Sequence, residues 1–536
     1  MTGPTVDPLL EARLKRLAVP EIAGAVRGGL RGVERECLRV TPAGRLAKTP
    51  HPVALGSALT NEFITTDYSE ALLEFVTPPQ ASNWETIQFL CDIHEFVLNH
   101  IGDELLWPLS MPCAISGDAD VPLAEYGSSH IGRMKHIYRR GLGYRYGRTM
   151  QAIAGIHYNY SLPEAFWPQY QALEQSRADP QDFKSEAYLG TVRNVRRLDW
   201  LLLYLFGASP ALCRTFVSGR APADLGLEPF DAGTLYSPYA TSLRMSDLGY
   251  HNSTQARLVV SANSLEEYVT DLNAATHLPV PEFERIGVKV DGEYRQLNAC
   301  LLQIENEFYS TIRPKRVTLP GERPTAALRR AGVQYIELRA LDISPWDPVG
   351  ANQRELRFLE VFLIFCLFRR SPPILAAEQQ AIDRNHGLVA RRGREPGLKL
   401  QRDDGEILLV DWATRICESM IEVARLIDPD ESQGHVAAIQ HQLAVVQDPE
   451  RTPSAALLRE LKDTGQPLAR YGLQLAERTR NYFQSLAPEL NRHRDLLLAT
   501  ATSSLARQKA IEAADTGTFD DYLARYLSPQ PAARTP

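Results

Sequence analysis

Val33-Glu34-Arg35-Glu36-Cys37-Leu38-Arg39-Val40 is the stretch that decides the fold. It alternates as a β-strand does, and Gly28, Gly29 and Gly32 lead the chain into it. Residues two apart on a strand share a face, so Glu34 and Glu36 point the same way. The pattern recurs along the chain. Residues 71–76 carry one charge, Glu74, among apolar neighbours. In 151–162, His157 and Asn159 share a face, as do Glu305 and Glu307 in 301–308 and Glu337 and Arg339 in 333–340. A lone Glu-x-Glu is ordinarily a solvated edge and a lone histidine a satisfied structural one. Five strands with acids or histidine amid apolar residues point instead to carboxylates gathered on one partly buried sheet.

Between these strands the reading is mixed. Helices are expected over 7–27, 83–101, 132–146 and 187–206, one buried strand over 64–77 ended by Pro78-Pro79, and a strand-rich stretch over 285–340. From about residue 351 the pattern is helical throughout. The fold class is therefore α+β: a sheet-bearing region over 1–350, a helical region over 351–528 packed on it, and a frayed tail over 529–536. The run 358–368 is too short for a bilayer and holds Glu360, so it reads as a buried helix.

Composition narrows the function classes. The chain of 536 residues is 44% hydrophobic and 23% charged, as globular proteins are. Its net charge of -7 gives no support to nucleic-acid binding. Cys37, Cys91, Cys113, Cys213, Cys300, Cys366 and Cys417 are odd in number and form no C-x-x-C pair. They read as reduced thiols of a cytoplasmic protein with no disulfide frame, and the N-terminus lacks the core of a signal peptide.

Ionised carboxylates cannot crowd a buried face without counter-charge, and hard divalent cations with oxygen ligands are their natural partners. Magnesium retains waters and binds phosphate oxygens, so the pattern points to nucleotide chemistry. Arg313, Lys315 and Arg316 follow Glu305 and Glu307 and read as a phosphate clamp or a solvated turn. Arg244, in the polar loop 239–250, reads as a carboxylate holder or a partner of Asp247. There is no phosphate loop, no dinucleotide turn, no H-E-x-x-H and no G-x-S-x-G.

The chain resembles the proteobacterial glutamate–cysteine ligase family in GVERECLR from Gly32, LGSALTNEFITTDYSEALLEFVTP from Leu55, WPLSMPC from Trp107, GIHYNYSLP from Gly155, YLFGASPA from Tyr204, PYATSLRMSDLGY from Pro238, LQIENEFYSTIRPKR from Leu302 and YIELRALDISP from Tyr335. The resemblance implies a glutamine-synthetase-like fold, an antiparallel sheet funnel surrounded by helices. It implies a γ-glutamyl phosphate made with ATP, captured by cysteine to give γ-glutamylcysteine, ADP and phosphate, the first step of glutathione synthesis. It implies two or three Mg2+ ions, which Mn2+ can replace, held by Glu34, Glu36, Asp67, Glu74, His157 and Glu337. Glu74 and Arg244 would handle glutamate and the transferred phosphoryl group, and Arg339 the charge near the acyl phosphate. Tyr138, Leu142, Gln151, Tyr250 and Tyr309 would recognise cysteine, with Tyr68 where the family often has phenylalanine. That hydroxyl keeps open a ligase for another amine, and a catalytically silent sensor is the reading from outside enzymes. The partners are glutamate, cysteine and ATP, with no membrane, and the chain is expected to be a monomer. Loops 127–132 and 249–254 are expected to cover the site.

Overall fold

A computed structural model describes residues 7–249, 258–428 and 434–528. Seven strands build the main sheet: β1 (Leu30–Val40), β2 (Ile64–Thr66), β3 (Leu72–Val76), β4 (Leu105–Leu106), β5 (Ile156–Ser161), β6 (Ile312–Lys315) and β7 (Tyr335–Leu341). Their order is β6-β7-β5-β1-β3-β2, with β4 paired to the far end of β1. Every pairing is antiparallel. Helices cover the sheet, among them α1 (Asn83–Leu98), α2 (His130–Tyr146), α3 (Pro180–Phe206), α4 (Gln353–Phe368), α5 (Ala376–Arg392) and α6 (Arg494–Ala514). The architecture is the α+β one expected.

β1 is buried on both faces, and its alternation sorts charge by sign. Glu34 and Glu36 occupy one face while Arg31, Arg35 and Arg39 occupy the other. The arginines find partners in the flanking layer: Arg31 pairs with Glu360 of α4, Arg35 meets His94 of α1, and Arg39 meets Glu104 at 2.7 Å. α3 starts where Asp179 accepts from the Gln181 and Asp182 amides ahead of an apolar run, and α4 starts where Asn352 accepts from Glu355. The 358–368 run is a buried helix, as expected, and one apolar core runs from Leu10 to Leu497 across both halves of the chain. Among the described residues no helix is long and apolar enough to cross a membrane.

Several expectations need correction. Residues 64–77 are a hairpin, β2 and β3, because 67–71 turns back; the Tyr126 hydroxyl fixes the turn by donating to the Thr66 and Asp67 carbonyls at 2.8 and 3.0 Å. The leading helix is two, Pro8–Leu17 and Pro20–Val26, since Pro20 starts a new one. Residues 301–308 form no strand; Glu305–Glu307 is a single helical turn. The C-terminal third contains a hairpin, Lys399–Arg402 with Gly405–Leu408, whose turn needs positive φ at Gly405. Cys113 and Cys213 are joined by a disulfide, with Cα atoms 5.4 Å apart and a sequence separation of 100. No local spacing announces such a pair; only the fold brings the two to bridging range. The tail 529–536 and residues 250–254 of the second expected cover lie outside the described residues.

Candidate active site

The register of five strands, β1, β3, β5, β6 and β7, assembles the site. Glu34 lies opposite His157, and Glu36 opposite Glu74. Glu337 lies opposite Asn159 on one side and Arg313 on the other. Antiparallel pairing keeps opposed residues on one face, so charges from distant stretches meet. Glu34 accepts from His157 Nδ1 at 2.9 Å and Asn159 Nδ2 at 2.8 Å. His157 Nε2 stands 3.5 Å from Glu36, and His157 Nδ1 3.7 Å from Glu337. Glu34, His157 and Glu337 offer ligand atoms within 4.8 Å of one another.

The electrostatics show a cage whose negative charge is incompletely balanced. Burial most of all, then Glu34, Asp67 and Glu36, pushes the Glu74 carboxyl well above its ordinary range. Burial likewise raises Glu36, though His157 opposes it. Burial and Glu337 push Glu34 up, yet its hydrogen bond to His157 and the charge of Lys315 bring it below the usual value. Burial is overcome at Glu337 too: Lys315 Nζ at 3.3 Å and Arg339 Nη1 at 3.0 Å hold it well below that value. Acids squeezed by their neighbours beside acids held ionised are the donor set a hard divalent cation completes. The residues present therefore fit magnesium, with Asp67 on the β2–β3 turn in the same acidic group.

Arg244 is buried at the back of this face. It donates to the Arg339 carbonyl at 3.2 Å and lies 3.6 Å from Asp342, while Asp247 pairs with Arg391 instead. Gly155 is required beside it, since a Cβ there would run into the Arg244 guanidinium. The Gly155 amide in turn donates to Glu36 at 2.7 Å. Tyr68 is buried with no hydrogen-bond partner for its hydroxyl, and Leu142 is buried on α2. Tyr138 and Tyr309 are half-buried against the core, the Tyr309 hydroxyl 3.1 Å from Met245 Sδ, and Gln151 sits in the turn Thr149–Ala152. Tyr250 lies outside the described residues.

Other expected groups go elsewhere. Glu305 takes Arg323 at 2.9 Å and Thr325, and Glu307 takes Arg145 at 3.0 Å and Tyr146 at 2.7 Å, so both serve buried structural ion pairs. Arg316 is bound to the Gly332 carbonyl, away from the cage; Arg313 donates to the Phe308 and Asn306 carbonyls while its charge still acts on Glu337, and Lys315 pairs with Glu337 directly. Loop 127–132 is tied to helix α6 and the turn after it: the Ser128 amide donates to Glu512 at 2.9 Å and the His130 amide to Asp515.

Sequence reasoning missed Arg139, which donates to the Asp67 carbonyl, and Lys135, lowered to about 8 by burial and Arg139 against the pull of Glu74 and Asp67. Both lie one turn apart on α2, and the basic periodicity of that helix was the available signal.

Fold and site together define an α+β protein with a metal-ready carboxylate face on an antiparallel sheet. The family profile described as glutamate–cysteine ligase matches residues 14–389, and the chain belongs to that family. It is 50% identical over 524 residues to a glutamate–cysteine ligase of Alcanivorax borkumensis, covering 97% of this chain and 99% of the relative. An Azotobacter vinelandii protein of the same name is 48% identical, covering 97% and 98%. The crystal structure of the Francisella tularensis glutamate–cysteine ligase in complex with AMP superposes with a TM-score of 0.87 at 37% identity, covering 94% of this chain and 98% of that one.

Proposed function

We infer that the sheet face is where this chain carries out its family's reaction. The chain is an ATP-dependent glutamate–cysteine ligase: ATP phosphorylates the γ-carboxylate of glutamate, and cysteine displaces phosphate to give γ-glutamylcysteine. The observation that carries the reading is the convergence of Glu34, His157 and Glu337 within 4.8 Å, with Arg339 beside them.

A carboxylate is a poor electrophile, and phosphorylation supplies its leaving group. Negative charge builds up where the phosphoryl group passes, and Arg339, Lys315 and Arg244 stand around that place to offset it. Glu34, Glu36, Asp67, Glu74, His157 and Glu337 would hold Mg2+, or Mn2+ in its stead. A divalent cation held there would supply positive charge against the negative charge of the transferring phosphoryl group. Tyr138, Leu142, Gln151 and Tyr309 would form the cysteine side, with Tyr68 near it. The amine nitrogen then attacks the γ-carbonyl carbon, the bond from carbon to the phosphate oxygen breaks, and the amine gives up a proton. We place the chain in the cytoplasm, where ATP is available, and take it to act as a monomer.

The test is mass spectrometry of the products after incubation with glutamate, cysteine, ATP and Mg2+. The expected products are γ-glutamylcysteine, ADP and phosphate, with none formed when EDTA is present. ATP binding with no product from any amine would replace the enzyme by a sensor.

A further inference from the structure

Asp199 of α3 and His386 of α5 are not members of the carboxylate cage, yet both are buried beside Tyr309 and Thr311, at 4% and 3% exposed. His386 Nδ1 lies 3.1 Å from Asp199 Oδ2, and His386 Nε2 lies 3.1 Å from the Met245 carbonyl oxygen. Asp199 Oδ2 also accepts from the Thr311 hydroxyl at 2.9 Å. Arg196, three residues earlier on α3, donates to the Val260 carbonyl at 2.8 Å instead and keeps Nη2 without a partner. The charge that answers Asp199 is therefore the His386 ring.

Both ring nitrogens face acceptors, and a neutral imidazole has a single N–H to give, so only the doubly protonated ring satisfies both contacts. Burial works against that charge, but Asp199, then the Met245 carbonyl and Asp383, outweigh it and raise His386 above its ordinary value. Each end of the pair reaches the site through one further residue. On one side the Thr311 carbonyl accepts from the Arg339 amide at 2.8 Å. On the other, Met245 Sδ takes Arg244 Nη1 at 3.0 Å and the Tyr309 hydroxyl at 3.1 Å. The start of that loop is already held on α5, where the Thr241 hydroxyl donates to the Val389 carbonyl at 2.9 Å and the Ser242 amide to the Ala390 carbonyl at 3.2 Å. His386, one turn earlier on the same helix, fixes the Met245 end.

We propose that His386 and Asp199 are positioning residues of the ligase, an imidazolium–carboxylate clasp that holds Arg244 and Arg339 in fixed relation across the reacting carboxyl group. This role rests on the ligase reading and deepens it. The two arms act on different steps. The Met245 arm holds Arg244 toward glutamate, so its loss shows in KM for glutamate. The Thr311 arm holds Arg339, where charge builds up on the phosphoryl group, so its loss shows in kcat.

Steady-state kinetics of the full chain with glutamate, cysteine, ATP and Mg2+, divided by the folded fraction from circular dichroism, separates the arms. Thr311→Val keeps the side chain's size and severs only the Asp199 arm; kcat should fall about tenfold with KM for glutamate within about twofold. Thr311→Ser restores the hydroxyl and should recover kcat to within about threefold of wild type. His386→Ala severs both arms, and kcat/KM for glutamate should fall about 100-fold while KM for ATP stays within about twofold. His386→Gln can still donate to the Met245 carbonyl and should return KM for glutamate to near the wild-type value with kcat still low. Thr311→Val with wild-type kcat overturns the proposal even if the buried histidine variants fail to fold. So does a His386→Ala enzyme that loses melting temperature but keeps kcat/KM per folded molecule. Nitrogen-15 NMR of the wild-type ring at pH 7, assigned by its loss in His386→Gln, should show both nitrogens protonated, and a neutral ring breaks the clasp. Failure of the ligase reading has its own signature: wild-type enzyme would form no γ-glutamylcysteine, and the positioning role would fall with it.

Discussion

Glu360→Gln probes what holds β1 in place behind the site. Glu360 is 2% exposed and is bound by Arg31 of β1, by Asn83 at 3.0 Å and by His435 at 3.2 Å; His435 in turn lies 2.6 Å from Asp428. Burial works against the ionised carboxyl, but His435 and Arg31 overcome it and hold Glu360 at about 2, below the ordinary 4.5. A folded-state value below the unfolded one means that the ionised group stabilises the fold. That contribution is complete above the unfolded value and is lost as pH falls toward the folded one. The shift corresponds to about 3 kcal/mol in full, of which about 2 is gone by pH 3. The amide cannot titrate and leaves Arg31 buried without its counter-charge, a loss of about 3–5 kcal/mol. Urea unfolding at pH 6 and pH 3 reads both effects. The variant should be the weaker protein at pH 6 by that amount, and the gap should narrow by about 2 kcal/mol at pH 3. A gap of equal size at both pH values would refute the reasoning, because the Arg31 and His435 contacts would then not depend on the charge of Glu360. His435 runs the opposite way. Burial lowers it, but Asp428 and Glu360 raise it above 6.5, so its contribution is complete below 6.5 and fades as pH climbs through the raised value.

Other outcomes are expected. Glu34→Gln should reduce turnover by about 100-fold or more while the far-ultraviolet dichroism and melting temperature change little, and near-normal turnover would remove Glu34 from the cage. Gly155→Ala should push the Arg244 guanidinium out of place and raise the KM for glutamate by about tenfold, with the effect absent if Arg244 does not bind that substrate. Thiol titration of the unreduced, denatured chain should count five groups, Cys37, Cys91, Cys300, Cys366 and Cys417; seven would show that Cys113 and Cys213 are not joined.

Much was legible without coordinates, because it is written in local periodicity. The two-residue repeat of 33–40 placed Glu34 and Glu36 together on a strand, and the same repeat paired His157 with Asn159 and Glu337 with Arg339. The apolar run 358–368 declared a buried helix. The repeat failed at 301–308, where Glu-x-Glu alternation is equally satisfied by a turn whose acids serve Arg323 and Arg145. A local pattern shows that charges are present, not which partner will claim them.

The sequence by itself determined which residues face the same way along each strand, since that follows from backbone geometry over two or three residues. Only the tertiary structure decided which strands lie side by side: that Glu34 meets His157, that Glu36 meets Glu74, and that Arg31 reaches Glu360 across 329 positions. It also decided that Cys113 meets Cys213 and that Asp199 meets His386 beside an open arginine. The reason is that pairing register and helix docking are set by burying the whole core at once, and no window of the chain contains that sum.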